Sequence, residues 1–256
     1  MTNRIEEIPV VTNEVAILWL GQNSYVLKSR LGTLFAIDPY LSRDPKYQYI
    51  HAKPPISSSK FKVDYIFCTH DHLDHTDPIA LPKIAACFPT TIFLGPQESC
   101  DHLIELGIQQ TRVIPLQVET TYTFSDVEVT PFYSILPPDT TATHFGYLFT
   151  IDNTKIYNMG DTNQAVVKKP EIILNPVAQH TPDIAMFPII GDTPERQPRD
   201  AFRFAQIVKP KIAIPCHYDC FTNRTINPKE FTRLLQNEPT MKTVIIPYNG
   251  IYIYRP

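Results

Sequence analysis

The sequence predicts an α/β fold in which two packed β-sheets are covered on the outside by helices. Short apolar runs bounded by turn residues predict strands in two blocks, and each block also contains helix-like segments. Layers of this kind form because each sheet must bury its apolar face against another element. The 256 residues are 43% hydrophobic, enough for a substantial core, and no Gly/Ser linker or charge block divides them. We therefore expect one domain spanning residues 1–256.

The chain opens with three short strands and a proline-rich segment. Apolar runs predict the strands at 15–20, 24–28 and 33–37. The segment 40–60 contains no strong helix or strand pattern. An irregular stretch of this length inside a domain is often functional, so we interpret it as a candidate rim over a site. The alternative is a plain surface excursion.

The later elements alternate between strand and helix, apart from a strand-rich stretch over 112–157. Pro78, with the apolar run after it, predicts a helix start, and Gly107 is a suitable C-cap for the next helix. In chain order we predict a strand at 64–68, helix 78–88, strand 91–94, helix 96–106, strand 127–134, strand 155–158, strand 183–187, helix 199–208, strand 211–215, helix 228–237, and strands 243–246 and 251–254.

The loop after strand 64–68 holds the densest group of potential metal ligands. Histidine makes up only 8 of 256 residues, yet three fall between Thr69 and His75, which argues against a chance cluster. His70 and His72 are two residues apart, so both point to one side if the backbone is extended. Asp74 and His75 lie on the next turn and are expected to face a second ion. One short loop with four potential ligands suits a two-metal site, with the ions roughly 3.5–4 Å apart.

Further ligands must come from other strand ends, and two places have the right character. Asp161 follows Gly160 at the end of a strand, where one carboxylate can bridge two cations; the alternative is a helix N-cap. His217 follows the apolar strand 211–215, where a lone histidine is usually a satisfied core residue. Together with the histidine loop, both residues are better interpreted as ligands.

In their order along the chain, these three motifs resemble the metallo-β-lactamase superfamily over nearly the whole length. The segments 19–24 and 37–42 resemble the opening strands of its branch of predicted metal-dependent hydrolases. Within that branch, 214–219, followed by 222–223 and 227–228, looks most like the L-ascorbate-6-phosphate lactonase group. The resemblance implies a four-layer αββα sandwich of two mixed β-sheets flanked by helices.

The resemblance also implies two metal shells that share one carboxylate. The superfamily pattern would place His70 and His72 on one metal, Asp161 between the two, and on the other metal Asp74, His75 and His217.

One ligand of the superfamily pattern is missing from its usual place. The superfamily usually adds a histidine to the first metal from the end of the strand that precedes the Gly-Asp strand, and here 127–134 ends without one. His144 lies ten residues later. It is either the replacement ligand or a loop residue, and the sequence leaves both interpretations open.

The expected chemistry is metal-dependent hydrolysis. Two divalent ions, zinc or manganese with iron also compatible, would lower the pKa of a bound water toward ~7 and so prepare it to attack a carbonyl or phosphoryl centre. Asp74 is expected to orient the nucleophile as well as to bind metal, and Asp161 to serve both ions.

Tyr218 is a candidate proton donor to the leaving group; the alternative is an ordinary aromatic residue beside the site. Thr69, Asp71 and Asp219 are the nearest candidates for orienting the ligands.

The leading hypothesis for the substrate is a lactone or ester of a phosphorylated sugar-like molecule. Arg196 and Arg199 follow the 191–194 loop and are candidate clamps for a phosphate, although solvated surface arginines are the commoner case. The second hypothesis is a phosphodiesterase or nuclease that uses the same metals. The third, prompted by the missing histidine, is an inactive metal-binding scaffold.

Composition excludes several other partners. The net charge of −3 gives no general attraction for long nucleic acids or anionic membranes. No run approaches ~20 apolar residues, and the first eleven residues lack the apolar core of a signal peptide. The five cysteines are an odd number without disulfide-framework spacing, which favours reduced thiols and a cytoplasmic location. A small-molecule substrate is therefore the expected partner, and a homo-oligomer is left open.

Overall fold

A computed structural model describes residues 3–191 and 195–256. Within these ranges fourteen strands form two seven-stranded sheets, and seven α-helices and three short 3₁₀ helices connect them. The predicted four-layer sandwich of two mixed sheets flanked by helices is confirmed. No helix in the described ranges combines the length and apolarity needed to cross a bilayer.

Most strands lie where the apolar runs predict them, within one or two residues. The strands are β1 Val15–Trp19, β2 Tyr25–Lys28, β3 Leu34–Ile37, β4 Tyr65–Phe67, β5 Ile92–Gly95, β6 Val113–Pro115, β7 Tyr122–Phe124, β8 Val127–Ile135, β9 His144–Ile151, β10 Thr154–Asn158, β11 Ile184–Pro188, β12 Ile212–Cys216, β13 Lys242–Thr243 and β14 Ile251–Tyr254. The helices are α1 Asn3–Glu6, α2 Ala80–Cys87, α3 Gln97–Glu105, α4 Gln164–Lys168, α5 Pro170–Ala178, α6 Pro198–Val208 and α7 Lys229–Leu234.

Each sheet has an antiparallel half and a parallel half. The first sheet runs in the order β14-β1-β2-β3-β4-β5-β6, with parallel pairing from β3 to β6. The second runs β13-β12-β11-β10-β9-β8-β7, with parallel pairing from β10 to β13. Parallel strands end at a common edge of their sheet, so loops that follow them collect there.

Strand alternation separates two apolar layers on the first sheet. Ile17, Leu27 and Phe35 belong to the core between the sheets. Their neighbours Ala16 and Val26 belong instead to a second core beneath α2 and α3. Alternate residues of a strand point to opposite faces, so one short apolar strand supplies both layers.

Helix α6 covers the second sheet with a continuous apolar stripe. Its buried residues recur at the three- and four-residue spacing of one helix face and pack against β11. These residues are Pro198, Ala201, Phe204, Ala205 and Val208. A capping box between Gln197 and Asp200 satisfies the first turn.

Two regions differ from the sequence-based expectation, and a third agrees with it. Helices α4 and α5 lie where no element was predicted; Pro170 stands at the first helical position, which tolerates a missing N–H, while Pro176 interrupts the pattern that reveals a helix. The predicted strand 243–246 shortens to β13, which pairs only over Lys242 and Thr243. The segment 40–60 contains one 3₁₀ turn, at Ser58–Lys60.

Candidate metal centre

The potential metal ligands of four different loops and strands meet at one edge of the sandwich. The histidine loop follows β4, Asp161 follows β10 and His217 follows β12, all at the carboxyl ends of parallel strands. Three groups form there, in each of which one ligand atom per residue lies within 4.8 Å of the others. The groups are His70, His72 and His144; His70, His75 and Asp161; and Asp74, His75 and His217. Because they share His70 and His75, the groups form one continuous cluster.

The first group consists of three imidazoles that converge on one point. The Nε2 atom of His70 lies 2.8 Å from Nδ1 of His72, and the rings of His70 and His144 stack with centroids 3.9 Å apart. Nδ1 of His144 is buried and has no hydrogen-bond partner among the described residues. One nitrogen of each ring lies within 4.8 Å of the others, and such a group of imidazole nitrogens fits a shared cation.

Strand pairing explains how His144 reaches this group. It is the first residue of β9 and pairs with Ile135, the last residue of β8, beyond an irregularity in the register at Tyr133. In an antiparallel pair, one strand begins beside the end of the other. The first residue of β9 therefore places a histidine where the end of β8 has none. His144 is therefore not a loop residue.

The third group, Asp74, His75 and His217, brings a carboxylate to two histidines. Oδ2 of Asp74 lies 3.6 Å from Nε2 of His75 and 3.9 Å from Nε2 of His217. The two Nε2 atoms are themselves 3.3 Å apart. Nδ1 of His217 faces the carbonyl oxygen of Ile190 at 3.1 Å, which directs Nε2 into the cluster.

Asp161 lies between the two outer groups. Its Oδ2 atom is 3.8 Å from Nε2 of His217, and its Oδ1 accepts a hydrogen bond from the backbone N–H of Thr162. The N-cap of α4 is Asn163, so the alternative helix-cap role of Asp161 is wrong. Gly160 adopts a φ of +70°, and a Cβ there would lie 2.8 Å from the carbonyl oxygen of Phe145. Only glycine permits this close approach.

Asp38 is a supporting residue that the sequence did not reveal. Its Oδ2 lies 2.6 Å from Nδ1 of His75, and its Oδ1 accepts the backbone N–H of Thr69 at 2.7 Å. The Thr69 hydroxyl donates to Asp38 as well, in line with its predicted orienting role. Held in this way, His75 presents Nε2 to the cluster. Asp38 follows β3, the parallel neighbour of β4, so the rule that strand ends build the site could have found it.

Gln22 is a second residue that sequence reasoning missed. Its Nε2 donates to Oδ2 of Asp74 at 2.8 Å and lies 3.2 Å from Nε2 of His217. Its backbone also pairs with the other sheet: the N–H of His217 donates to the Gln22 carbonyl, and the Gln22 N–H donates to the carbonyl of Tyr218. Gln22 thus ties the turn after β1 to the end of β12 and touches two potential ligands. Neither contact has a signal in the sequence.

The cluster's charges favour bound cations. Burial raises the pKa of Asp74, but His75 and His217 outweigh it and lower the pKa to about 2. Burial lowers the pKa of His75, yet Asp38 and Asp74 raise it to about 9. Asp38 and Asp74 therefore attract positive charge to His75. A metal ion bound by His75 would compete with the proton that this raised pKa keeps on the ring.

Two imidazoles of the first group, His70 and His144, are neutral by contrast. Burial lowers the pKa of His70 well below its ordinary value and that of His144 to about 4. Their nitrogen lone pairs are therefore available at neutral pH, which is the state that metals require of imidazole.

Two other predicted orienting residues pair away from the ligands. Asp71 lies 2.7 Å from Nδ1 of His102, and Asp219 lies 3.1 Å from Nε2 of His51. Both pairs anchor loops that carry ligands rather than the ligands themselves.

Tyr218 is buried beside the cluster but packs in another direction. Its ring lies 4.7 Å from that of Trp19, and it lines an apolar groove with Tyr248. Burial raises its pKa, which makes its proton harder to release.

The two predicted substrate arginines lie in different places. Arg196 is 2% exposed and lines a pocket of about 130 Å³ beside His72 and His144. Arg199 is exposed and lines a wider groove, on which Glu230 also lies. Of the loop that precedes them, residues 192–194 lie outside the described part of the chain.

Comparison with known proteins agrees with this geometry. The family described as beta-lactamase superfamily domain matches residues 16–217. A UPF0173 metal-dependent hydrolase of Bacillus mycoides is 30% identical over 219 residues, which cover 80% of this chain and 86% of that protein. A UPF0173 metal-dependent hydrolase of Caldivirga maquilingensis is 24% identical over 245 residues, or 93% of this chain and 94% of that protein.

Solved structures show the same fold. Igni18, a metallo hydrolase of Ignicoccus hospitalis, superposes with a TM-score of 0.69 at 19% identity, covering 95% of this chain and all of that one. An isothiocyanate hydrolase from Delia radicum gut bacteria gives a TM-score of 0.69 at 17% identity, covering 94% of this chain and 99% of that one. At these identities the likeness concerns the fold alone.

Proposed function

The chain belongs to the metallo-β-lactamase superfamily and to its UPF0173 metal-dependent hydrolase family, and from this premise we propose that it hydrolyses ester or lactone bonds with two divalent metal ions. The observation that carries the proposal is the continuous cluster of three ligand groups. Its nitrogen and carboxylate donors suit zinc and manganese, and iron as well.

The proposed ligands divide between two ions and one shared residue. His70, His72 and His144 would hold the first ion, and Asp161 would serve both. The second ion would be held by Asp74, His75 and His217. Burial of most of these side chains and the unpartnered Nδ1 of His144 support this assignment.

The chain's own residues would prepare the reaction. When bound, the ions supply Lewis acidity and a more acidic water. Gln22 holds one oxygen of Asp74, which leaves the other to orient the attacking water. Asp38 fixes the orientation of the His75 ring. These contacts are formed before substrate arrives, so little reorganisation is needed during the reaction.

Tyr218 is the weakest part of the catalytic assignment. Its packing against Trp19 and its raised pKa favour a structural role over proton donation to the leaving group.

We propose a more specific class of substrate than the family's name, metal-dependent hydrolase, gives. Arg196 in the wall of the pocket beside His72 and His144 supports a lactone or ester of a small, phosphorylated molecule, and the net charge of −3 disfavours long nucleic acids. None of the relatives reported above carries the name of the L-ascorbate-6-phosphate lactonase group, so that substrate stays a prediction. Phosphodiester cleavage on the same ions is the alternative. The hypothesis of an inactive scaffold was prompted by the missing histidine. It is weakened because His144 lies in one group with His70 and His72.

The test combines metal content with a substrate panel. Protein purified without added metal is analysed for metal, stripped with a chelator, and reloaded with zinc or manganese. We expect about two ions per chain and hydrolysis of lactone or ester probes that chelation abolishes and metal restores. Turnover of phosphodiester probes alone would favour the alternative. Two ions with no turnover of any probe would contradict the proposal and favour the scaffold.

A further inference from the structure

A small pocket beside the first ligand group is lined by residues of which some carry buried polar atoms without a hydrogen-bond partner in the described part of the chain. Its volume of about 130 Å³ is several times what one ordered water requires. Its lining residues come from both sides of the cluster. They are His72, Ile135, Thr140, His144, Asp161, Thr162, Asn163 and Arg196.

Arg196 is held rigidly in the wall of this pocket. Nη2 donates to the carbonyl oxygen of Pro188 at 3.0 Å, and the guanidinium carbon lies 5.3 Å from the ring centre of Phe204. A Cβ on Gly191 would lie 2.8 Å from Cγ of Arg196, so glycine at this position makes room for the side chain. The arginine is thus positioned by a strand end, a helix and a glycine.

The polar groups of this wall are buried without partners. Nε and Nη1 of Arg196 have no hydrogen-bond partner in the described ranges, and neither does Oγ1 of Thr162. Unpaired buried donors are costly. Two residues with unpartnered polar atoms that line one pocket indicate a ligand that completes their hydrogen bonds.

The charge of this wall indicates that the ligand is an anion. Two carboxylates act on the charge of Arg196, Asp161 and Asp200. Oδ1 of Asp161 is held by Thr162 and its Oδ2 faces His217, while Oδ2 of Asp200 accepts the backbone N–H of Gln197. If Asp161 binds the proposed ions, its charge is used there. Arg196, which cannot lose its proton, still has two donors without a partner among the described residues, and a compact anion would satisfy them.

Resting on the proposed function, we propose that this pocket is an oxyanion subsite in which Arg196 and Thr162 bind a compact carboxylate or phosphate group of the substrate. The substrate would therefore carry its anionic group close to the bond that is cleaved, because three proposed metal ligands line the same pocket. Arg199 takes no part, since it is exposed on a different groove.

The experiment measures anion binding independently of turnover. Metal-loaded wild-type protein is titrated with inorganic phosphate and, separately, with acetate, by calorimetry, after its metal content has been measured. The variants are Arg196→Met, which keeps the length without the charge, and Thr162→Val, which removes only the hydroxyl. Arg199→Met is the matched control.

We expect at least one of the two anions to bind the wild type and Arg199→Met alike, and Arg196→Met at least tenfold more weakly. Thr162→Val should weaken binding to a smaller extent. The preferred anion identifies the group as phosphate or carboxylate. Should Arg196→Met fail to fold, Arg196→Lys, which keeps the charge but loses the planar fork, should bind severalfold more weakly.

Equal binding by the wild type and the Arg196 and Thr162 variants would overturn the subsite, because the anion would then be held by the metals alone. Absence of binding to a metal-loaded, hydrolytically active wild type would overturn it as well, and would leave the proposed function intact. Protein that takes up no metal and hydrolyses no probe would instead contradict the proposed function.

Discussion

His144 and His70 stack with ring centroids 3.9 Å apart and planes inclined by 20°, although they come from different sheets. His70 leaves the end of β4 in the first sheet, and His144 begins β9 in the second. The ligand that the superfamily usually supplies at the end of one strand would therefore come here from its antiparallel neighbour. The proposed first metal shell would be assembled across the interface between the sheets.

Replacing His144 should empty one of the two proposed metal positions. His144→Ala removes one of three imidazoles from the first group, so we expect metal content to fall from about two ions per chain to about one. Elemental analysis of purified protein measures this. His180→Ala, at an exposed site outside the three ligand groups, is the control and should keep both ions. Unchanged metal content and activity in the His144 variant would remove it from the shell.

Replacing Asp161 should affect both positions at once. Its carboxylate lies between the two outer groups, so Asp161→Ala is expected to lose both ions together with hydrolytic activity. Asp101→Ala, on the exposed face of α3, is the matched control. If both ions remain bound to the Asp161 variant, the bridging role is wrong.

Gln22 should tune the second ion without binding it. Gln22→Ala leaves Asp74 without its hydrogen bond and frees His217 from the amide, so the geometry of the third group loosens. We expect roughly tenfold or greater loss of affinity for the second ion, as is usual when a supporting hydrogen bond to a ligand is removed. Titration against a competing chelator measures it. The same titration of Gln179→Ala, an exposed amide, should match the wild type, and equal affinity in both variants would deny Gln22 this role.

Asp126, at the end of the sandwich away from the ligand cluster, should make the free energy of unfolding depend on pH. Burial raises its pKa, but hydrogen bonds from Ser29, Leu31 and Thr33 lower it more, so the folded pKa lies below the ordinary value. The stabilisation is therefore present above the unfolded pKa of ~3.9 and is lost as pH falls through the folded pKa.

Urea unfolding of Asp126→Asn and the wild type measures this contribution. We expect the variant to be less stable at pH 7 by about 1 kcal/mol, a value reduced for solvent screening at a partly exposed site. The difference should shrink toward zero as pH falls below about 3.9. A difference that stays constant with pH would show that the carboxylate charge is not involved.

Patterns within a few consecutive residues predicted those features that depend only on neighbours in the sequence. Short apolar runs located most strands, and the spacing of His70, His72, Asp74 and His75 located a loop whose potential ligands lie in the cluster. These features need no knowledge of distant segments, because strand burial and loop ligands are readable from a few consecutive residues.

The features that were missed depend on tertiary contact. Asp38 and Gln22 act through residues 37 and 195 positions away, and no local pattern marks them. The place of His144 is decided by its pairing with Ile135 across a register irregularity. Helix α5 was hidden by its prolines, one of which the helix accepts at its first position.

The spread of the ligands along the chain has a consequence for biosynthesis. His75 and His217 lie 142 positions apart, yet their Nε2 atoms meet at 3.3 Å. A nascent chain exposes the histidine loop long before β12 has left the ribosome. In the proposed two-ion site, the first shell would therefore be complete once Asp161 has emerged, whereas the second shell would have to wait for His217. Loading of the second ion would belong to the nearly finished chain.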